Sequence, residues 1–201
     1  MNLLGDERYR LEISRQVPLR READAPAEAM FDHHLVALVR DDDRVCGVAH
    51  AFFPLPNEST RSLVAAAVAV GSEFLARACA ELITAQGFVR DEVSEALDDA
   101  TSQAFIVDHF AIVDPIADKP ILRGMFARAL MDALARPMDA LLINAPASEL
   151  PFWSATLGAK LVRGFIIASG ARRLPEYPPR PARRRSRRTE TRLRLLDGSQ
   201  S

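Results

Sequence analysis

Two short apolar runs near the start of the chain are separated by a cluster of acids. Residues 34–39 and 45–53 are rich in Val, Ala, Leu and Phe, and Asp41, Asp42 and Asp43 lie between them. Apolar runs joined by a short polar turn are typical of a β-hairpin. The pattern therefore predicts two antiparallel strands that open a sheet.

The next segment changes from strand spacing to helix spacing. Val64, Val68, Leu75 and Leu82 fall on one helical face within residues 60–86. This period of about 3.6 residues predicts an amphipathic helix. A further helix is predicted at 90–102, so the hairpin is followed by a helical insertion.

After residue 100, strand-like and helix-like segments alternate. In chain order, the predictions are a strand at 104–113, a helix from near Asp118 and Pro120 to Pro137, a strand at 139–146, a helix at 147–157 and a strand at 161–169. Alternating strands and helices indicate an α/β arrangement, and the hairpin adds an antiparallel part. We expect a mixed α+β sheet with helices on both faces, in which the strand at 139–146 lies parallel to that at 104–113.

The C-terminal 30 residues differ in composition from the rest. Residues 172–201 contain ten arginines, three acids and four prolines, so this segment carries a net charge of +7 although the whole chain carries −1. Such a segment buries too little apolar surface to offset its ordering entropy. We expect a domain at 1–171 and a disordered tail at 172–201. The tail is either a solvated segment, or it binds an anionic partner, which would be nucleic acid, a membrane surface or an acidic protein.

Composition excludes several classes of protein. A chain of 201 residues with 48% hydrophobic and 26% charged residues is neither collagenous nor wholly disordered. The longest apolar run, 63–70, is too short to cross a bilayer, and no signal peptide is predicted. Two cysteines, Cys46 and Cys79, form no disulfide scaffold and lack metal-ligand spacing. These features predict a cytoplasmic protein with no transmembrane segment.

Three histidines, His33, His34 and His50, are candidate metal ligands. His33 and His34 are neighbours on one predicted strand and cannot both bind one ion, whereas His34 and His50 could share a face of the hairpin. Two ligands make a poor zinc site, so no metal is expected. The cysteines are interpreted as small core residues.

The order of elements between 105 and 165 resembles the second half of the GNAT acyltransferase fold. The sequence IVDP (112–115) is similar to the end of a strand in that superfamily, and PFWSATLGAKLVRG (151–164) to its aromatic helix element. Residues 31–56 and the helical insertion at 58–102 resemble the acyl-homoserine-lactone synthase and long-chain N-acyl amino acid synthase branch. The resemblance covers about 7–168 and implies a GNAT-like fold, in which the strands at 104–113 and 139–146 splay apart.

The resemblance also implies where an acyl thioester donor would bind. The donor is acyl-CoA or the phosphopantetheine of an acyl-carrier protein, with its carbonyl near the backbone of Ile112 and Val113 and its arm between the splayed strands. The residues aligned with the family's pyrophosphate loop are Leu122, Arg123, Gly124, Met125, Phe126 and Ala127. Met125 stands where a glycine is usual, although Gly124 could shift the register. Lys119, Arg123 and the helix N-terminus could attract the diphosphate, or the segment is simply an amphipathic helix.

The catalytic groups that the resemblance implies are partly replaced. The family's general acid is a tyrosine, and here Trp153 or Ser154 occupies its place, while Asn144 ends the preceding strand. The family's base often comes from the middle of the fourth strand, where this chain has Asp108 and His109. Because adjacent strand residues point to opposite faces, only one of these two is expected at the cleft. The alternative is that neither is catalytic, so that His109 is a hydrogen-bonded histidine of the sheet and Asp108 is a surface charge.

Together these features predict an N-acyltransferase that moves an acyl group from a thioester to an amine by direct attack. Two alternatives remain at this point. The first alternative is a binding or assembly protein of the same fold that has lost catalytic activity. The second is a nucleic-acid-associated protein that uses the basic tail.

Overall fold

The computed structural model of the chain describes residues 8–16, 30–55, 59–97, 101–113, 119–136 and 138–170. The predicted tail at 172–201 lies outside these residues. The predicted helix at 90–102 and the predicted start near Asp118 lie partly outside them.

Seven strands form one mixed sheet. They are β1 (Tyr9–Gln16), β2 (Phe31–Arg40), β3 (Val45–Pro54), β4 (Gln103–Ile112), β5 (Asp139–Ile143), β6 (Lys160–Val162) and β7 (Phe165–Ser169). Their spatial order is β1-β2-β3-β4-β5-β7-β6. Only β4 and β5 are parallel, with Gln103 opposite Asp139 and Val107 opposite Ile143, and the other pairs are antiparallel. The predicted mixed sheet and its parallel pair are confirmed.

In the described part of the chain, five α-helices connect the strands. They are α1 (Thr60–Val70), α2 (Glu73–Leu82), α3 (Asp91–Leu97), α4 (Lys119–Leu134) and α5 (Leu150–Leu157), and a 3₁₀ turn at Ala147–Glu149 precedes α5. Helices α1 to α3 lie between β3 and β4 in the chain, where the helical insertion was predicted. The sequence therefore located the insertion correctly.

The segment at 60–86 is two helices and not the single predicted helix. Gly71 ends α1 in the left-handed conformation, with φ of 85°, and the side chain of Ser72 caps α2 by accepting the Leu75 N–H. A glycine at this conformation avoids the steric penalty that a Cβ would bring. The Gly-Ser pair thus stops one helix and starts the next.

The last predicted strand at 161–169 is also divided. Strands β6 and β7 form a hairpin, and the turn residues Arg163 and Gly164 both have positive φ, 50° and 82°. Two consecutive residues at positive φ match a type I′ turn, which joins antiparallel strands tightly. The single-strand prediction was therefore wrong, and the chain reverses at this pair.

Helices cover both faces of the sheet, as predicted. Helices α4 and α5 pack on the face that contains Leu141 and Ile143, and this set of buried residues includes Phe126 and Trp153. Helices α1 to α3 pack on the opposite face, which contains Leu142. Below, these are called the α4 face and the α2 face.

Candidate active site

Strands β4 and β5 stop pairing halfway along β4. The last parallel pair is Val107 with Ile143, and the Asn144 N–H then donates to the Val107 carbonyl at 2.8 Å. Strand β4 continues to Ile112, whereas the chain after Asn144 turns into the 3₁₀ helix. Residues 108–112 of β4 therefore have no partner in β5, and the sheet opens on this side of β4.

A β-bulge lies where the opening begins. His50 of β3 is opposite His109 and Ala51 is opposite Val107, so Asp108 is an extra residue in β4. A bulge interrupts the alternation of side chains along a strand. Asp108 contacts Ser72 at the start of α2, and the His109 ring contacts the His50 ring on the same side of the sheet. The prediction that Asp108 and His109 point to opposite faces was therefore wrong, because the bulge places both on the α2 face.

Asp108 is held by two neutral hydrogen-bond donors. The Ser72 hydroxyl donates to Asp108 Oδ1 at 2.6 Å, and Ser72 Oγ accepts the Leu75 N–H at 3.0 Å. Asn144 Nδ2 donates to the Asp108 carbonyl at 3.0 Å and lies 3.4 Å from Oδ1. One carboxylate thus links the insertion, the bulge and the end of β5.

Three imidazoles cross three neighbouring strands on the α2 face. His33 Nε2 of β2 lies 3.3 Å from His50 Nδ1 of β3, and the centroids of the His50 and His109 rings are 5.8 Å apart. The His33 ring also stacks on Phe52, with a centroid distance of 4.5 Å. We call His33, His50 and His109 the histidine row.

The expected pairing of His34 with His50 was wrong by one residue. Leu35 lies opposite His50 in the ladder, so His33 is its diagonal neighbour on the same face. His34 lies opposite Ala51 and contacts Phe105 on the α4 face. A shift of one position along a strand moves a side chain to the other face.

Burial and electrostatic repulsion lower the pKa values of His33 and His50. Partial burial lowers the pKa of His33, and the nearby His50 and His34 lower it further. Partial burial also lowers the pKa of His50, with a contribution from His109, while the Asp108 carboxylate acts in the opposite direction. These shifts favour neutral rings at neutral pH.

The depressed pKa values predict that stability falls as the pH drops. The unfolded chain, whose histidines titrate near 6.5, binds more protons than the folded chain below that pH. The contribution of neutral His33 and His50 to the free energy of unfolding is complete above their pKa in the unfolded chain. It is lost as the pH falls through 6.5 and then through their lower pKa in the folded chain. We expect the melting temperature to fall between about pH 7.5 and about pH 5.5, and to fall less in the double variant His33→Gln/His50→Gln. An equal fall in both proteins would contradict this assignment.

The residues predicted to bind a donor diphosphate lie apart from the histidine row. Arg123 of α4 forms an ion pair with Glu149, and its guanidinium lies 4.5 Å from the centroid of the Phe152 ring. Glu149 also accepts a hydrogen bond from Trp153 Nε1 at 3.2 Å. Trp153 is buried and packs edge-on against Phe110 at 5.1 Å. Arg123 and Trp153 thus join α4 to α5 through Glu149.

The segment aligned with a pyrophosphate loop is helical. Gly124 and Ala127 lie inside α4, where each backbone N–H donates to the carbonyl four residues earlier. Ala127 is buried in the core, and a Cβ at Gly124 would lie 3.9 Å from Thr156 of α5. The amides of Gly124 and Ala127 are therefore used within the helix.

The remaining predicted site residues occupy three different places. Lys119 is the first residue of α4 in the described structure, and its side chain lies outside the described part. Ser154 is exposed on α5. Val113 is half exposed, and its N–H donates to the Cys46 carbonyl of β3 at 2.8 Å. That N–H points away from the opening, whereas the alternation of a strand directs the Ile112 N–H toward it.

Metal binding and catalysis by a cysteine nucleophile have little support in the described residues. They contain no group of three or more His, Cys, Asp or Glu side chains arranged to hold a metal ion. Cys46 and Cys79 are buried, and burial raises the pKa of the Cys79 thiol to about 12, which disfavours the thiolate that a nucleophile requires. No helix in the described part of the chain is long and apolar enough to span a membrane.

Comparison of the chain with protein-family models, with curated proteins and with solved structures found no match.

The sequence did not point to Ser72, His33 or Glu149 as members of a site. A signal for Ser72 was present, because a Gly-Ser pair inside an apolar periodic run is a helix stop followed by an N-cap. The bulge also left a trace, since two adjacent polar residues, 108 and 109, interrupt an otherwise apolar strand. Glu149 had no sequence signal, because its partners Arg123 and Trp153 lie on two different helices, α4 and α5.

Proposed function

We propose that this protein is an N-acyltransferase with a GNAT-like fold. The observation that carries the proposal is the parallel pair β4 and β5, which stops at Val107 and Ile143 and leaves the rest of β4 unpaired on that side. An extended thioester arm can lie along such an edge and bond to its backbone. The order of elements and the insertion between β3 and β4 support the same proposal.

The donor's arm enters the opening beside β4. Its thioester carbonyl accepts the Ile112 N–H, which strand alternation directs toward this side. A fixed backbone donor of this kind stabilises the negative charge that develops on the oxygen when an amine attacks. CoA and acyl-carrier phosphopantetheine share this arm, so both fit the proposed step. The family's diphosphate contacts are not part of it, since Arg123 is paired with Glu149.

The acceptor amine binds on the α2 face, where Asp108 and His109 lie together. His109 is exposed, whereas Asp108 Oδ1 is already hydrogen-bonded, so His109 is assigned as the general base. It removes a proton from the ammonium group, and the neutral nitrogen attacks the thioester carbon. The carbon–sulfur bond then breaks, the nitrogen loses its second proton to solvent, and the thiolate takes a proton from solvent. The products are an amide and a free thiol.

A second candidate is a binding protein of the same fold without transfer activity. The ion pair between Arg123 and Glu149 and the helical Gly124 favour it, because both remove contacts that a donor diphosphate would use. The basic tail, a carrier protein or nucleic acid as partner, and a cytoplasmic location stay predictions from the sequence.

Donor binding tests the proposal directly. We expect octanoyl-CoA, or an octanoylated carrier protein, to raise the melting temperature of the full chain. At a ligand concentration about 100 times Kd, binding stabilises the folded state by about 2.7 kcal/mol. For a chain of this size, that corresponds to an increase of about 5–10 °C by differential scanning fluorimetry.

Matched ligands separate specific binding from general effects. Octanoic acid and adenosine 3′,5′-bisphosphate carry parts of the donor but lack the thioester arm, and we expect neither to stabilise the protein comparably. Stabilisation without release of thiol in the presence of primary amines would favour the binding protein. No effect of either acylated donor would overturn the proposed acyltransferase.

A further inference from the structure

Asp108 is a partly buried carboxylate whose hydrogen-bond partners are neutral. They are the hydroxyl of Ser72 and the amide of Asn144. No basic side chain forms an ion pair with Asp108 within the residues that the structure describes. A carboxylate removed from water without a cationic partner retains an uncompensated charge. This side chain is therefore suited to an incoming cation.

The surroundings of Asp108 do not supply that cation. The titratable groups that face it are His109 on its own strand and His50 on β3, while α2 presents Ser72 and the end of β5 presents Asn144. His33 lies behind His50 in the row. Burial lowers the pKa of His33 and His50, so both are mainly neutral at neutral pH. The carboxylate thus lies beside bases that can accept a proton.

We propose that Ser72 is a positioning residue that holds Asp108 in place to bind the ammonium group of the acceptor beside His109. This inference rests on the proposed function and names both the class of acceptor, a primary ammonium, and a residue of the insertion that orients it. The insertion is then a part of the acceptor site as well as a cover for the sheet.

The geometry at Ser72 explains how it fixes the carboxylate. Its oxygen accepts the Leu75 N–H at 3.0 Å, and its only hydroxyl hydrogen is then directed to Asp108 Oδ1 at 2.6 Å. The residue is buried, so water competes little for either bond. Hydrogen bonds to an ionised group are stronger than those between neutral groups. One carboxylate oxygen is therefore held, which orients the other.

The chain contains a matched control for Ser72. Ser59 caps α1 in the same manner, since its Oγ accepts the Ser62 N–H at 3.2 Å, and it bonds to the Ser62 hydroxyl at 2.9 Å. Both serines are N-caps of consecutive helices, but only Ser72 contacts β4. Ser59→Ala removes a cap without affecting Asp108.

A double-mutant cycle measures the contact without any substrate. Loss of the cap should raise the unfolding equilibrium constant about fivefold in Ser59→Ala. Ser72→Ala loses the cap and the charged hydrogen bond, so it should raise the constant about 50-fold. The double variant Ser72→Ala/Asp108→Ala loses the charged hydrogen bond only once. Its unfolding equilibrium constant should therefore rise about 10-fold less than the product of the two single effects. The effects of Ser59→Ala and Asp108→Ala on the unfolding equilibrium constant should simply multiply. Multiplicative behaviour of both pairs would overturn the proposal.

Kinetics with a primary amine test the functional part. We expect Ser72→Ala to raise the KM for the amine about 10-fold and to leave the KM for octanoyl-CoA unchanged. Ser72→Thr keeps a hydroxyl cap and should restore the KM for the amine. Ser59→Ala should leave both constants near those of the unaltered protein. An effect of Ser72→Ala on the donor KM alone would overturn the proposal. Coupling in the cycle without any acyl transfer would support the positioning of Asp108 and contradict only the proposed function.

Discussion

Replacing His109 with alanine is expected to lower kcat for amine acylation by about two to four orders of magnitude, the usual effect of losing a general base. The KM for the acyl donor should change little, because the proposed donor site lies along the β5 side of β4 and His109 lies on the α2 face. Steady-state assays of thiol release give both constants. The loss should be smallest at high pH, where a larger fraction of the amine is already neutral.

His34 provides the control for this substitution. It is a second sheet histidine on β2, but it faces the α4 side and contacts Phe105. His34→Ala should keep kcat within about twofold of the unaltered protein. If Asp108→Asn, and not His109→Ala, abolishes turnover, then the carboxylate is the base. If His109→Ala unfolds the chain, then His109→Gln, which keeps polarity and much of the volume, still tests the proton transfer.

Replacing Phe126 with alanine is expected to destabilise the protein by about 3–5 kcal/mol, the range for truncating a buried aromatic side chain. Phe126 is fully buried in the α4 face and stacks on Phe110, with a centroid distance of 4.9 Å. Gly47 of β3 makes room for it, since a Cβ at Gly47 would lie 2.9 Å from the ring. The melting temperature should fall by about 10 °C or more in thermal unfolding followed by circular dichroism.

Phe88 is the matched comparison for Phe126. Its side chain is 47% exposed, so Phe88→Ala should shift the melting temperature by about 2 °C at most. Equal shifts for the two variants would mean that the packing of α4 on the sheet contributes little to stability.

Much of the fold was predictable because it depends on local periodicity. The apolar run at 45–53 and the helical spacing at 60–86 each predicted an element, and the structure has strand β3 at the first and helices α1 and α2 at the second. The predictions failed at chain reversals, where one or two residues decide. Gly71 and Ser72 divide a continuous helical pattern, and Arg163 and Gly164 divide a strand pattern.

Strand β1 was missed although its pattern was visible. Tyr9, Leu11 and Ile13 alternate with polar residues, which is the signature of a half-buried strand. The segment pairs with β2 along its whole length, from Tyr9 opposite Arg40 to Gln16 opposite His33. The signal for β1 is therefore local to the segment itself.

The candidate site was less predictable than the fold because its contacts span distant segments. Asp108 and His109 were named correctly as neighbours on one strand, but their shared face depends on the ladder between β3 and β4. Ser72 and Asp108 are 36 residues apart, and Glu149 and Arg123 are 26 residues apart. Such pairs follow from the packing of whole elements, which no local pattern encodes.

The extra residue in β4 adds a side chain to the α2 face without changing the faces of its neighbours. Deletion of Asp108 would make Val107 and His109 consecutive opposite Ala51 and His50, so His109 would stay on the α2 face and Phe110 would stay against Phe126 and Trp153. The strand would become regular, and the contact with Ser72 would be lost. Deletion of a single residue after the bulge would instead move every later side chain of β4 to the other face. Position 108 is therefore the place in β4 where the loss of one codon removes a functional group and leaves the packing of the strand in register.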